Sequence, residues 1–199
     1  MITADKVSLR REMRNLRREL DAVQRQSAAA GLLRNLMTLD AFTAADSVAL
    51  YLVNDGEIDP IDVMHWCWNN GRRTYVPIVI QQQGNSLVFA PVSSDSEFRE
   101  NRFGIPEPVV DQSEIIRAAE LDLVLLPLVA FDASGNRIGM GGGFYDRTFE
   151  FVRDQGALVP TMIGIAHELQ RVPQIESESW DIPLSTVVTD SGVYHMKDL

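Results

Sequence analysis

Apolar residues in this chain recur first at helical and then at strand spacing. Over residues 5–20, Leu9, Met13, Leu16 and Leu20 fall on one stripe at about 100° per residue. The pattern predicts an amphipathic helix with that stripe turned to a core. Lys6, Arg10, Arg14 and Arg17 form a second stripe about 90° away, with Arg11 and Arg18 further round. Residues 22–39 give a second helical stretch. The period then changes. SVALYLV at 47–53 reads as a strand and runs into NDGEID, where Asn54, Asp55 and Gly56 signal a turn and Glu57 stands beyond the strand end. Asp59 and Pro60 predict a helix start, with Ile61, Met64, His65 and Trp68 on its apolar face and Gly71 at its close.

Two further strands are predicted at 73–80 and 87–92, joined by the turn QQQGN. Residues 97–111, with Pro106 and Pro108, read as irregular, and 113–119 as a short helix. LDLVLLPLVAFD at 121–132 is a long buried strand, and a helix is predicted over 145–153. TMIGIAH at 161–167 is a strand ending in His167, which reads as a structural strand-end residue or as a ligand contact. Residues 169–185 read as irregular, 187–189 as a last short strand, and His195 as an exposed tail residue. Helices followed by alternating strands and helices predict a single-domain, three-layer α/β/α sandwich with a mainly parallel sheet.

The stretch GNRIGMGGGFYD, residues 135–146, changes this picture from architecture to chemistry. It holds five of the chain's 13 glycines. A turn needs one or two. Gly139, Gly141, Gly142 and Gly143 beside Arg137 predict a loop whose backbone approaches an anion closely, most simply phosphate, at a strand end and helix start. The loop is neither a P-loop, since Phe144 and Tyr145 follow its last glycine, nor a dinucleotide fingerprint, since Phe144 stands at the third glycine position.

Charge supports one local anion site. The chain carries −10, which argues against nucleic acid as a partner. Residues 1–20 hold six basic and three acidic side chains, a net +3, so the other 179 residues carry −13. On this pattern Lys6 and Arg10 are candidate ligand residues, whereas Arg11, Arg14, Arg17 and Arg18 read as a solvated face. No apolar run approaches the roughly 20 residues of a membrane span, and the N-terminal sequence has no apolar signal core, so a cytoplasmic protein is expected. The one cysteine, Cys67, lies between Trp66 and Trp68 and reads as a core residue.

The combination of LDLVLLPLVAFDASGNRIGMGGGFYDR, NDGEID, WDIPLSTVVT and the Lys6-x-x-x-Arg10 start resembles the 5-formyltetrahydrofolate cyclo-ligase (methenyltetrahydrofolate synthetase) family over nearly the whole chain. The resemblance implies a fold related to phosphosugar isomerases and CoA-transferases, and ATP- and Mg²⁺-dependent conversion of 5-formyltetrahydrofolate to 5,10-methenyltetrahydrofolate, ADP and phosphate. By the same resemblance, Lys6, Arg10, Arg137 and the run Gly139, Met140, Gly141, Gly142, Gly143, Phe144 and Tyr145 bind ATP. Leu52, Glu57, Phe144, Tyr145 and His167 contact the folate. Asp146 and Asp181 stand near magnesium. Arg137, Tyr145 and Asp146 are the expected catalytic residues, and a monomer is expected. Some members carry a basic residue in the loop where this chain has Met140 and Gly142, which would shift phosphate charge onto Arg137, Lys6 and Arg10. The competing expectations are a phosphosugar isomerase or CoA-transferase-like activity without ATP, and a non-catalytic protein that holds reduced folate or a nucleotide.

Overall fold

A computed structural model describes residues 5–80, 86–100, 106–154, 160–176, 182 and 184–196. Its centre is a seven-stranded sheet in the order β11-β10-β9-β6-β1-β2-β3. The strands are β1 (Ser47–Ala49), β2 (Arg73–Ile80), β3 (Ser86–Val92), β6 (Leu123–Pro127), β9 (Thr161–Ala166), β10 (Thr186–Thr189) and β11 (Val193–His195). The inner pairs β1–β2, β1–β6, β6–β9 and β9–β10 are parallel, and only β3 and β11 join antiparallel at the edges. The fold is therefore α/β with a mainly parallel sheet, as the alternation of elements predicts.

Period-2 alternation divides the strands between two cores. Val48, Leu50, Leu123, Leu125, Ile163 and Ile165 point to one face. There they meet Ala28, Leu32 and Leu36 of α2 (Ala22–Leu36) and Val63, Met64 and Cys67 of α4 (Ile61–Asn69). Ala49, Val124, Leu126 and Val187 point to the other face and pack with Phe131, Phe149 and Met162. That second layer is thin: α5 (Phe144–Thr148) has only five residues and continues as a 3-10 segment, Glu150–Asp154. The predicted helix over 145–153 is thus a short helix and a tighter turn.

Helix α1 (Lys6–Glu19) packs beside the sheet rather than on it. Leu9 and Met13 join Val129, Ala130, Ile138 and Ile175 in a third, smaller core. The predicted stripe is corrected here. Leu16 is exposed and Leu20 only partly buried, while Arg17, expected on a solvated face, is fully buried. Its carboxylate partners, given below, explain how a charge can occupy that place.

Other differences are local. The strand predicted at 47–53 pairs only over Ser47–Ala49. The long strand at 121–132 breaks after Pro127, and its end forms a separate hairpin of β7 (Ala130–Phe131) with β8 (Arg137–Ile138). The segment read as irregular contains a two-stranded ribbon of β4 (Phe98–Glu100) and β5 (Pro106–Pro108). The short helix at 113–119 is two 3-10 turns, Gln112–Glu114 and Ala118–Glu120, and a four-residue helix α3 (Asp40–Thr43) follows α2. His65 is exposed rather than in the core, because α4 buries Val63, Met64 and Cys67. Helix α4 begins one residue later than predicted, although Asp59 Oδ1 still accepts from the Ile61 N–H at 3.0 Å. The turn QQQGN and Asp181 lie outside the described residues.

Candidate active site

The glycine loop hangs from the β7–β8 hairpin, not directly from the long buried strand. Asp132, buried at the end of β7, builds that hairpin. Its carboxylate accepts from the Ser134 N–H at 2.9 Å, the Asn136 N–H at 3.0 Å and the Ile175 N–H at 2.8 Å. A buried carboxylate so satisfied fixes the backbone around it. Arg137 follows at once and enters β8.

From β8 the chain runs through residues 139–143 into α5. Gly141 has φ +94° and Gly143 φ +63°, backbone that a side chain would strain. Arg10 of α1 closes the loop from outside, its Nε donating to the Gly139 carbonyl at 2.9 Å. Arg147 donates to the Gly142 carbonyl and lies over the Phe144 ring at 5.7 Å. Loop and helix α1 line a cleft of about 730 Å³ with Lys6, Arg10, Arg137, Phe144, Tyr145 and Asp146 on its walls. The predicted ATP residues are thus brought into one place. Arg147, which ends the quoted motif but was assigned no role, joins them through its position one turn into α5.

Arg137 is nearly buried and committed on two sides. Its Nη1 donates to the Ile182 carbonyl at 2.5 Å and its Nη2 to Asp146 Oδ1 at 2.6 Å. Asp146 remains partly exposed in the cleft. Its hard oxygens suit Mg²⁺, which takes one or two carboxylates and completes its shell with phosphate oxygens and water. Among the described residues no group of three or more His, Cys, Asp or Glu stands together, so no all-protein cage is built there.

The predicted folate residues are not gathered in one place. Leu52 lines a second, apolar cleft of about 410 Å³ with Tyr51, Ile61, Met64, Phe98 and Pro106. Glu57 lines neither of these clefts, but its charge is felt in both: burial first, and then Glu57, raise the phenols of Tyr51 in the second and Tyr145 in the first. Burial also raises the Glu57 carboxyl, against the pull of Arg17. Phe144 and Tyr145 belong to the loop's cleft.

The turn that carries Glu57 is held from three sides. Tyr51 donates its hydroxyl to the Ile58 carbonyl at 2.6 Å. His167, buried at the end of β9, sets Nε2 3.3 Å from the Gly56 carbonyl, and burial lowers its pKa, so the neutral ring is favoured. His167 therefore supports the turn and is on the wall of neither of these two clefts. Helix α1 supplies the third side. Arg14 Nε lies 2.6 Å and Arg17 Nη2 2.9 Å from Asp55 Oδ2, and Arg18 pairs with Asp55 Oδ1. Burial alone would raise the Asp55 carboxyl, but the bonds from Arg14, Arg18 and Arg17 outweigh it and hold it at about 2. The solvated reading is corrected for Arg17; Arg14 and Arg18 keep their exposure while pairing with Asp55. The i, i+3, i+4 spacing of the three arginines was the available signal that one carboxylate could collect them all.

Comparison with known proteins decides between the expectations. A family model described as the 5-formyltetrahydrofolate cyclo-ligase family matches residues 2–190. The chain belongs to the 5-formyltetrahydrofolate cyclo-ligase family. It is 37% identical over 182 residues to the 5-formyltetrahydrofolate cyclo-ligase of Escherichia coli, covering 92% of this chain and 98% of that one. It is 34% identical over 188 residues to the enzyme of that name from Haemophilus influenzae, covering 94% and 99%. The solved structure of 5,10-methenyltetrahydrofolate synthetase from Aquifex aeolicus aligns with a TM-score of 0.80 at 28% identity, covering 98% of this chain and 94% of that one. The cyclo-ligase family is a family of enzymes, so the isomerase, transferase and passive-binder alternatives lose their support.

Proposed function

We propose that this cyclo-ligase family member converts 5-formyltetrahydrofolate and ATP to 5,10-methenyltetrahydrofolate, ADP and phosphate. The observation that carries the reading is the convergence of Lys6, Arg10, Arg137 and the glycine loop on one cleft, with Leu52 on the wall of a second, apolar one. ATP would lie along the loop with its phosphates between α1 and Arg137. The pterin would meet Glu57, whose carboxylate accepts N–H bonds. The second cleft, with Leu52, is apolar enough for the aromatic part of the folate.

The formyl oxygen attacks the γ-phosphorus, and ADP leaves with the electrons of the broken P–O bond. Phosphorylation turns a poor leaving oxygen into a good one. N10 of the same folate then attacks the formyl carbon. Phosphate leaves with the C–O electron pair and N10 gives up its proton, which closes the ring. The protein positions the reactants and offsets charge on the transferred group. Arg137, held by Asp146 and the Ile182 carbonyl, presents a fixed guanidinium at the cleft wall. Arg10 holds the loop and Lys6 adds charge at its mouth. Tyr145 connects the loop to the Glu57 side. Asp146 is the described residue that would hold Mg²⁺, whose chemistry would be to neutralise phosphate charge.

The test is an omission assay. Purified protein is mixed with 5-formyltetrahydrofolate, ATP and Mg²⁺, and the near-ultraviolet absorbance of the methenyl product is followed with each component left out in turn. Product only with all three, matched one for one by ADP, is expected. Product without ATP would overturn the phosphoryl-transfer reading.

A further inference from the structure

Arg17 touches both sides of the site. It reaches the turn through Nε, which donates to the Asp55 carbonyl at 2.7 Å, and through Nη2, which is 2.9 Å from Asp55 Oδ2 and 3.8 Å from Glu57 Oε1. It reaches the glycine loop through Nη2 again, 3.8 Å from Met140 Sδ. The guanidinium is fully buried, yet its Nη1 has no hydrogen-bond partner among the described residues.

Stability does not account for that placement. A buried charge with one arm unsatisfied is a poorer choice than an apolar side chain of the same size. Nor does Asp55 require it, because Arg14 and Arg18 already pair with both carboxylate oxygens. Beyond Asp55's carboxylate, Arg17 contacts the Asp55 backbone, Glu57 and Met140 together, as no other described residue is seen to do.

We propose that Arg17 is a positioning residue for the cyclo-ligase reaction, locking the Glu57 turn and the tip of the glycine loop into one fixed relation. It rests on the folate role assigned to Glu57. Occupation of the two clefts would then be coupled through a side chain that contacts neither reacting group. Arg17 also supplies a fixed positive charge beneath Met140.

The same contact controls the charge of Glu57. The groups around that carboxylate are Arg17 and Arg14 from α1, Asp55 in the turn, Tyr51 after β1, Tyr145 in α5 and His167 after β9. Burial raises the Glu57 pKa, and Arg17 is the strongest group opposing it. Without Arg17 the carboxylate takes up its proton at a higher pH and then accepts N–H bonds less well.

The experiment compares Arg17→Gln, Arg17→Lys, Glu57→Gln and the unmodified enzyme. It measures kcat and KM for 5-formyltetrahydrofolate and for ATP from pH 5.5 to 8.5. Arg17→Gln should raise the folate KM about tenfold and move the acid limb of kcat/KM for folate up by about one pH unit. Arg17→Lys keeps the charge and should hold the limb near its original place. A lower melting temperature with unchanged KM values and an unmoved limb in Arg17→Gln, while Glu57→Gln raises the folate KM, would overturn the role of Arg17 alone. An unchanged folate KM in Glu57→Gln would overturn the Glu57 reading and this proposal with it. Should Arg17→Gln fail to fold, Met140→Ala, at an exposed loop residue, carries the test. It should raise both KM values about threefold, and a change confined to ATP overturns the coupling.

Discussion

The turn at residues 54–57 and the loop at residues 139–143 both lead out of strands into the site, and they are built differently. The turn is filled by its own protein. Its carbonyls at Asp55, Gly56 and Ile58 contact Arg17, His167 and Tyr51, and its Asp55 carboxylate is shared by three arginines. The loop is exposed over residues 139–142 and is fixed at its carbonyls by Arg10 and Arg147. Carbonyls tied to two arginines leave a glycine backbone whose other groups are open to a ligand in the cleft. The contrast suits the two tasks. On the proposed roles, Glu57 would be held in one orientation to read a rigid ring, whereas a loop that would receive phosphates needs close backbone approach more than its own contacts.

The comparison is broken most severely by Arg137→Ala. It deletes a fixed guanidinium from the cleft wall and frees Asp146. We expect kcat/KM for ATP to fall by about 100-fold or more, by analogy with loss of one preorganised donor. Unchanged ATP kinetics would remove Arg137 from the phosphate site. Asp55→Ala attacks the other region and should act on stability instead. It leaves buried Arg17 without its carboxylate, a change costing about 3–5 kcal/mol, read as a lower urea midpoint.

Acid should expose the same difference without mutation. The Asp55 carboxyl sits at about 2, below its usual value of 3.8. A lowered carboxylate contributes stability that is fully present above the unfolded pKa and is lost as pH falls towards the folded one. The urea midpoint should therefore drop between about pH 5 and pH 2, and Asp55→Asn should flatten that part of the profile. Glu57→Gln is a smaller change, expected to raise the folate KM about tenfold with ATP kinetics little altered. An effect confined to ATP would reverse the assignment of the two regions. Gly141→Ala, at φ +94°, should be mildest for stability, about 1–2 kcal/mol of local strain, with its activity loss read in the ATP KM.

Legibility followed the range of the interactions. Strand β2 was predicted at its observed bounds, because a run of β-branched residues between Arg72 and the following turn is a local signal. The glycine loop was equally plain, since glycine density needs no partner to be noticed. Helix α1 was found but turned wrongly, because Leu16 and Arg17 exchanged the burial that hydropathy assigns them. That exchange depends on Asp55 and Glu57, some 40 residues away; the arginine spacing shows that one carboxylate could collect three charges but not which of them is buried. Edge strand β11 was missed because Val193–His195 is short and polar and pairs only with β10.

By itself the sequence determined the alternation that makes a mainly parallel α/β sheet, the glycine-rich loop beside Arg137, and family membership, since each is carried by neighbouring residues or by their order. Only the tertiary structure decided that three arginines of α1 converge on Asp55, that Arg137 leans on Asp146, and that His167 props the Glu57 turn. Those are contacts between residues far apart in the chain. A charged side chain is placed by the partner that satisfies it, and the partner is known only once the chain has folded.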